Sequence, residues 1–191
     1  MIRRIILCCC ICSVTAAAPV RAQHHELGAV TFETSCQPAV KAEFEKGVAM
    51  LHSYWFNYAG KTFRGVLEQD PSCAMAYWGI ALDLMGNTLS SPPSKQAAEQ
   101  AWGVLEKARS VPAKTEREGL WIDAARAYFR DHDTVPVERR LERYTDAMRR
   151  IAGKYPNDFE AQVNYALTLQ SSAPQADGTY ANPRKSAATL E

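Results

Sequence analysis

The chain has 191 residues, nearly half of them apolar, and a formal net charge of +1. That is enough for one ordinary domain or four to five stacked helical hairpins, and it excludes disorder as the main state. A balance so close to neutral leaves no basic footprint for nucleic acid.

The N-terminus reads as a secretory signal. Met1-Ile-Arg3-Arg4 is positively charged, Ile5 to Ala18 is apolar, and Val20-Arg21-Ala22 places small residues at the −3 and −1 positions of a cleavage site. Residues 1–22 are therefore expected to be removed, leaving a mature chain with a charge close to −2. The alternative is lipidation at Cys8, Cys9, Cys10 or Cys12, which the bulky residues before these cysteines disfavour. Cys9-x-x-Cys12 falls inside the discarded apolar stretch, and no other segment is long and apolar enough to cross a membrane. Only Cys36 and Cys73 remain in the mature chain. In an oxidising compartment an even pair invites a disulfide; two ordinary buried thiols are the alternative.

Residues 23–34 read as a flexible polar segment, and residues 35–191 as one helical domain. Gln37 to Ser53 carries Val40, Phe44, Val48 and Leu51 on one stripe, and Phe56 to Gln69 is expected to pair back against it. Asp70-Pro71 stops that helix, and Cys73 to Met85 begins another, closed by Gly86-Asn87. Ser94 is a candidate N-cap for a helix running to about Arg109, with Pro112 after it. Thr115-Glu-Arg-Glu118 matches the capping box, in which threonine and glutamate satisfy each other's free backbone donors. Leu120, Trp121, Ala124, Ala125 and Tyr128 follow on that helix. Val137, Leu141, Tyr144, Met148 and Ile151 mark the next, ended at Tyr155-Pro156, and Phe159 to Leu169 starts another. After a polar loop, Asn182-Pro183 reads as an N-cap with proline in the first turn of a last helix that buries Ala187 and Leu190.

Ala59-x3-Phe63 followed by Pro71 resembles the tetratricopeptide repeat, whose pattern is Ala-x3-Phe and a closing proline. Ala98-x3-Trp102 and Tyr144-x3-Met148 repeat the theme in degenerate form, and Pro71, Pro112 and Pro156 fall 41 and 44 residues apart. The consensus period is about 34 residues, so these units are elongated. The fold class expected is all-α, a right-handed solenoid of degenerate tetratricopeptide-like hairpins. The text Ser35-Cys36, Phe44-x-x-Gly47, Leu51-His52-Ser53-x-Trp55 and Asp70-Pro71-x-Cys73-Ala74-Met75-Ala76-Tyr77-Trp78-Gly79 also resembles a group of exported bacterial tetratricopeptide-repeat proteins. That resemblance implies a periplasmic location and a binding or assembly role. A solenoid also needs a capping helix, so the short last helix suggests further repeats beyond Glu191.

Neither a protease, a phosphate-loop nor a hydrolase signature is present, so no catalytic residue, metal or cofactor is assigned. Gln23-His24-His25 would present an amine, amides and an imidazole to copper(II) or nickel(II) as a mature N-terminus, or else form an inert tail. Asp131-His132-Asp133 offers three ligand types, but adjacent residues point apart. In tetratricopeptide architecture the first helix of each hairpin lines a concave groove, which would place Lys41, Phe44, His52, Met75 and Trp78 on a binding surface. The competing reading makes Phe44 and Trp78 core, with His52 in a buried hydrogen bond. Arg139, Arg140, Arg143, Arg149, Arg150 and Lys154, interleaved with Glu138, Glu142 and Asp146, read as a solvated face with an Asp146–Arg150 pair. The function expected is a non-catalytic module that binds a protein or peptide partner. The alternative is a periplasmic small-molecule or metal-binding protein, with any enzymatic site in a portion beyond the chain given.

Overall fold

Helix boundaries follow the local signals of the sequence. The computed structural model describes residues 27–111, 113–173 and 178–191. The signal segment, its cysteines, Gln23-His24-His25 and Pro112 lie outside the described residues. A 3₁₀ turn over Pro38–Val40 leads into α1 (Lys41–His52), followed by α2 (Tyr58–Gln69), α3 (Ala74–Met85) and α4 (Lys95–Ala108). Then come α5 (Glu116–Phe129), α6 (Val137–Lys154), α7 (Phe159–Ser171) and α8 (Ala181–Leu190). The described residues are all-α and contain no strand.

Ser94, Thr115 and Asp158 each accept a hydrogen bond from the backbone N–H three residues on, which satisfies a donor the helix leaves free. Gly86 closes α3 at φ +67°, a conformation natural only to glycine. Consecutive helices pack as pairs, α1 with α2, α3 with α4, α5 with α6 and α7 with α8. The odd-numbered helices α1, α3 and α5 also touch in sequence.

The first three helices meet around Phe63 of α2, which is fully buried. A Cβ at Gly47 would lie 2.8 Å from this ring and one at Gly79 would lie 2.6 Å from it. Glycine at both positions therefore lets α1 and α3 close on a rigid side chain. Gly79→Ala should destabilise the protein by about 1–3 kcal/mol through overpacking. Gly65→Ala on α2 meets open space and should stabilise by about 0.5–1 kcal/mol. Urea unfolding of the two variants checks the contrast, which reversed signs would refute.

Three local expectations fail. Thr115 Oγ1 accepts from Glu118 N at 3.2 Å, but the Glu118 carboxylate turns away to Ser35, so only half a capping box forms. The last helix begins after Tyr180, at φ +54°, so Asn182 lies inside it and caps nothing. Its buried residue is Ser186, which donates to the Ala166 carbonyl at 2.8 Å, while Ala187 and Leu190 are exposed. A small residue serves there because α8 lies close against the backbone of α7.

The α6 face is also less uniform than its charges suggest. Arg140 is buried, lying over the Tyr128 ring and donating to the carbonyls of Val135 and Tyr128. Asp146 pairs with Arg149 instead of Arg150.

Candidate functional site

Four features stand out around α1, α3, α5 and α7. The first is the chain's own N-terminal segment. Residues 27–34, read from sequence as flexible, instead lie against the helices through Leu27, Val30 and Phe32. Phe32 is completely buried among Phe44, Trp78 and Trp121, with ring centroids 5.5, 5.3 and 5.1 Å away. Arg117 lies 4.6 Å over the same ring and donates to the Glu33 carbonyl at 2.9 Å. Glu45 accepts from Phe32 N, and buried Glu118 accepts from both Ser35 N and Ser35 Oγ, at 2.6 and 2.7 Å. Side chains of α1 and α5 thus hold the main chain of an extended segment, while its one aromatic fills a box.

The segment is anchored at its far end. The Sγ atoms of Cys36 and Cys73 are 2.04 Å apart, a disulfide joining the segment to the start of α3. Next to it, buried Asp70 accepts from Gln37 N, Ser72 N and Ser72 Oγ. Burial alone would raise the Asp70 pKa, but these hydrogen bonds and the nearby Lys114 charge hold it below the ordinary carboxylate value. A folded-state pKa below the unfolded one means the ionised form is favoured by folding. Asp70 therefore contributes stability above about pH 3.9, and that contribution is lost as pH falls through its lowered folded-state pKa. Asp70→Asn should lower the urea midpoint at neutral pH and converge on wild type in acid; an equal gap at both pH values would refute the assignment.

The second feature is the turn between α1 and α2. Tyr54, Trp55 and Tyr58 are all exposed there, at 52%, 39% and 64%. Tyr54 and Asn57 adopt positive φ, 57° and 69°, which costs energy for residues with a side chain. Hydrogen bonds hold them in place: Trp55 N to Met50 O at 2.9 Å, and Asn57 N to Asp83 Oδ1 at 2.7 Å. Gly60 makes room for that carboxylate, since a Cβ would lie 2.2 Å from Asp83 Oδ2. The turn thus displays aromatics on a hydrogen-bonded backbone.

The third feature is a polar link between distant helices. His52 Nε2, at the end of α1, lies 2.8 Å from Glu160 Oε2 in the first turn of α7. The fourth is a cavity of about 190 Å³ between α1, α3 and α7. Val48, Leu51, Phe56, Trp78, Leu82, Val163 and Leu167 supply apolar wall, Tyr54 of the α1–α2 turn joins them, and His52, Asn87, Thr88 and Asn164 supply polar atoms.

The five residues projected onto a groove do not share one surface. Phe44, Met75 and Trp78 are buried, and Phe32 of the N-terminal segment packs on Phe44 and Trp78. Lys41 is exposed beside Glu45, at the opposite end of α1 from His52, about 16 Å along the axis. Only His52 and Trp78 line the same cavity. Asp131, His132 and Asp133 do not converge either: Asp131 pairs with Arg143. Among the described residues the group of three candidate ligands that does converge is Cys36, Asp70 and Cys73, whose two sulfurs are bonded to each other. Sequence reasoning missed Phe32, Glu118 and the Tyr54–Tyr58 display. The only signal for the last was the run Tyr54-Trp55-Phe56 at a helix end.

No protein-family model matches the chain, and neither the curated proteins nor the solved structures yield a match.

Proposed function

We propose that this chain is an exported, non-catalytic binding module of tetratricopeptide-like hairpins that docks a protein partner on the aromatic turn between α1 and α2. The hairpin order and the sequential contacts of α1, α3 and α5 support the solenoid part of this reading. The observation that carries the binding part is the exposure of Tyr54, Trp55 and Tyr58 on a backbone held by buried Asp83. Aromatics of this kind supply most of the energy in protein interfaces, and strained backbone concentrates where function requires it. The inner face is not the docking surface, because residues 27–35 occupy it.

Crosslinking in the cell, with the full-length protein as bait, tests this. A recurrent partner should be weakened by Trp55→Ser or Tyr58→Ser, each roughly thirty-fold if it costs the ~2 kcal/mol of a hot spot. The melting temperature should stay unchanged. A partner retained by the Trp55→Ser/Tyr58→Ser double variant, or good bait recovery with no enriched protein, would overturn the proposal.

A further inference from the structure

Cys73 is the N-cap of α3 and is wholly enclosed, while its bridge partner Cys36 is half-buried. A thiol at a helix N-terminus is ordinarily activated, because the partial positive charge of the helix end favours the thiolate. It is then also a good leaving group in thiol–disulfide exchange. Here the same place holds a full negative charge. A carboxylate oxygen of Asp70 and the two Sγ atoms all lie within 4.8 Å of one another. Asp70 is buried and is held ionised by Gln37 N, Ser72 N and Ser72 Oγ. Buried Glu118 adds a second carboxylate at Ser35, the residue before Cys36. A cation stands on the solvent side: exposed Lys114, whose Nζ donates to the Ser35 carbonyl at 3.2 Å and to Ser72 Oγ at 3.4 Å.

Exchange begins when a thiolate from solvent bonds to the more accessible sulfur, Cys36 Sγ. The bond between Cys36 and Cys73 breaks, and its electron pair leaves on Cys73 Sγ. A second thiolate then attacks the sulfur that came from solvent, forming a small-molecule disulfide and freeing the Cys36 thiolate. Two electrons have passed from the thiols to the bridge. Asp70 opposes the first step twice. It repels the incoming anion, and it disfavours the thiolate that must form beside it in an enclosed site. A helix end offers about half a unit charge against the whole unit of a carboxylate, so the carboxylate prevails. Lys114 acts in the opposite sense, weakened by its contact with water.

We propose that Asp70 is an electrostatic guard that keeps the Cys36–Cys73 bridge out of thiol–disulfide exchange in the folded protein.

The full chain is reduced without denaturant by cysteamine, mercaptoethanol and mercaptopropionate, whose substituents are cationic, neutral and anionic. Each rate is divided by the same thiol's rate with the urea-unfolded chain, where the carboxylate no longer stands beside the sulfurs. Asp70→Asn should raise this ratio roughly tenfold for mercaptopropionate, and by less for cysteamine. Lys114→Gln should lower it. Both variants lose hydrogen bonds, so a purely structural role would speed reduction in both. Faster reduction in both, no acceleration in Asp70→Asn, or an acceleration that is the same for all three thiols would each remove Asp70 from this role.

Discussion

Reduction of the Cys36–Cys73 bridge is expected to lower the stability of this protein by about 4 kcal/mol. The two cysteines are separated by 37 residues, and closing a loop of that length in the unfolded chain removes entropy corresponding to roughly that free energy. The bridge does more than tie two points of a random chain. It fixes the end of the N-terminal segment beside Asp70, whose carboxylate receives Gln37 N. Reduction therefore also loosens the frame that holds residues 27–35 against α1 and α5. Urea titrations with and without reductant measure the effect, and the Cys36→Ala/Cys73→Ala variant supplies the control. Reductant should shift the wild-type midpoint downward and leave the double variant unmoved. Unchanged wild-type unfolding under reductant, or free thiols in the protein isolated from an oxidising compartment, would remove the bridge from the account.

The helical skeleton was legible because its signals are local. Ser94 and Thr115 cap the helices they were expected to cap, and Pro71, Pro156 and Gly86 stand at the turns they mark. Apolar stripes at helical spacing also identified Phe44, Val48, Met148 and Ile151 as inward-facing, a matter settled within each helix. Local signals lose their force where a second element competes for the same atoms. Glu118 has the spacing of a capping-box glutamate, yet its carboxylate serves Ser35, 83 residues away in sequence. Arg140 sits in a run of surface charges, yet the Tyr128 ring and two carbonyls draw it inward. Nothing within residues 23–34 marks Phe32 as core, because its partners lie on three separate helices. Phe44, Met75 and Trp78, projected onto a groove from the repeat's geometry, are buried, and Phe32 packs on Phe44 and Trp78. The repeat pattern says which helix face looks inward, and has no term for a segment that returns to cover it.

Phe32→Ala is expected to cost about 3–5 kcal/mol, the range for emptying a buried phenylalanine site. The ring touches Phe44, Trp78 and Trp121 together, so it joins α1, α3 and α5 at their inner side. Its loss leaves the T-shaped Trp78–Trp121 pair facing a void and strips Arg117 of one of the two rings beneath it. The site cannot collapse easily, because Ser35 is still held by Glu118 and Cys36 by the disulfide. Phe32→Leu should cost far less, since it keeps most of the volume. Chemical unfolding measures the total cost, and hydrogen exchange separates its parts. If Phe32 belongs to the global core, exchange should speed up throughout α1, α3 and α5 in Phe32→Ala. If instead only the amides of residues 27–35 lose protection and the unfolding midpoint barely moves, the segment is a detachable cover. The aromatic box beneath it would then be open to a segment from outside, and docking would return to the inner face.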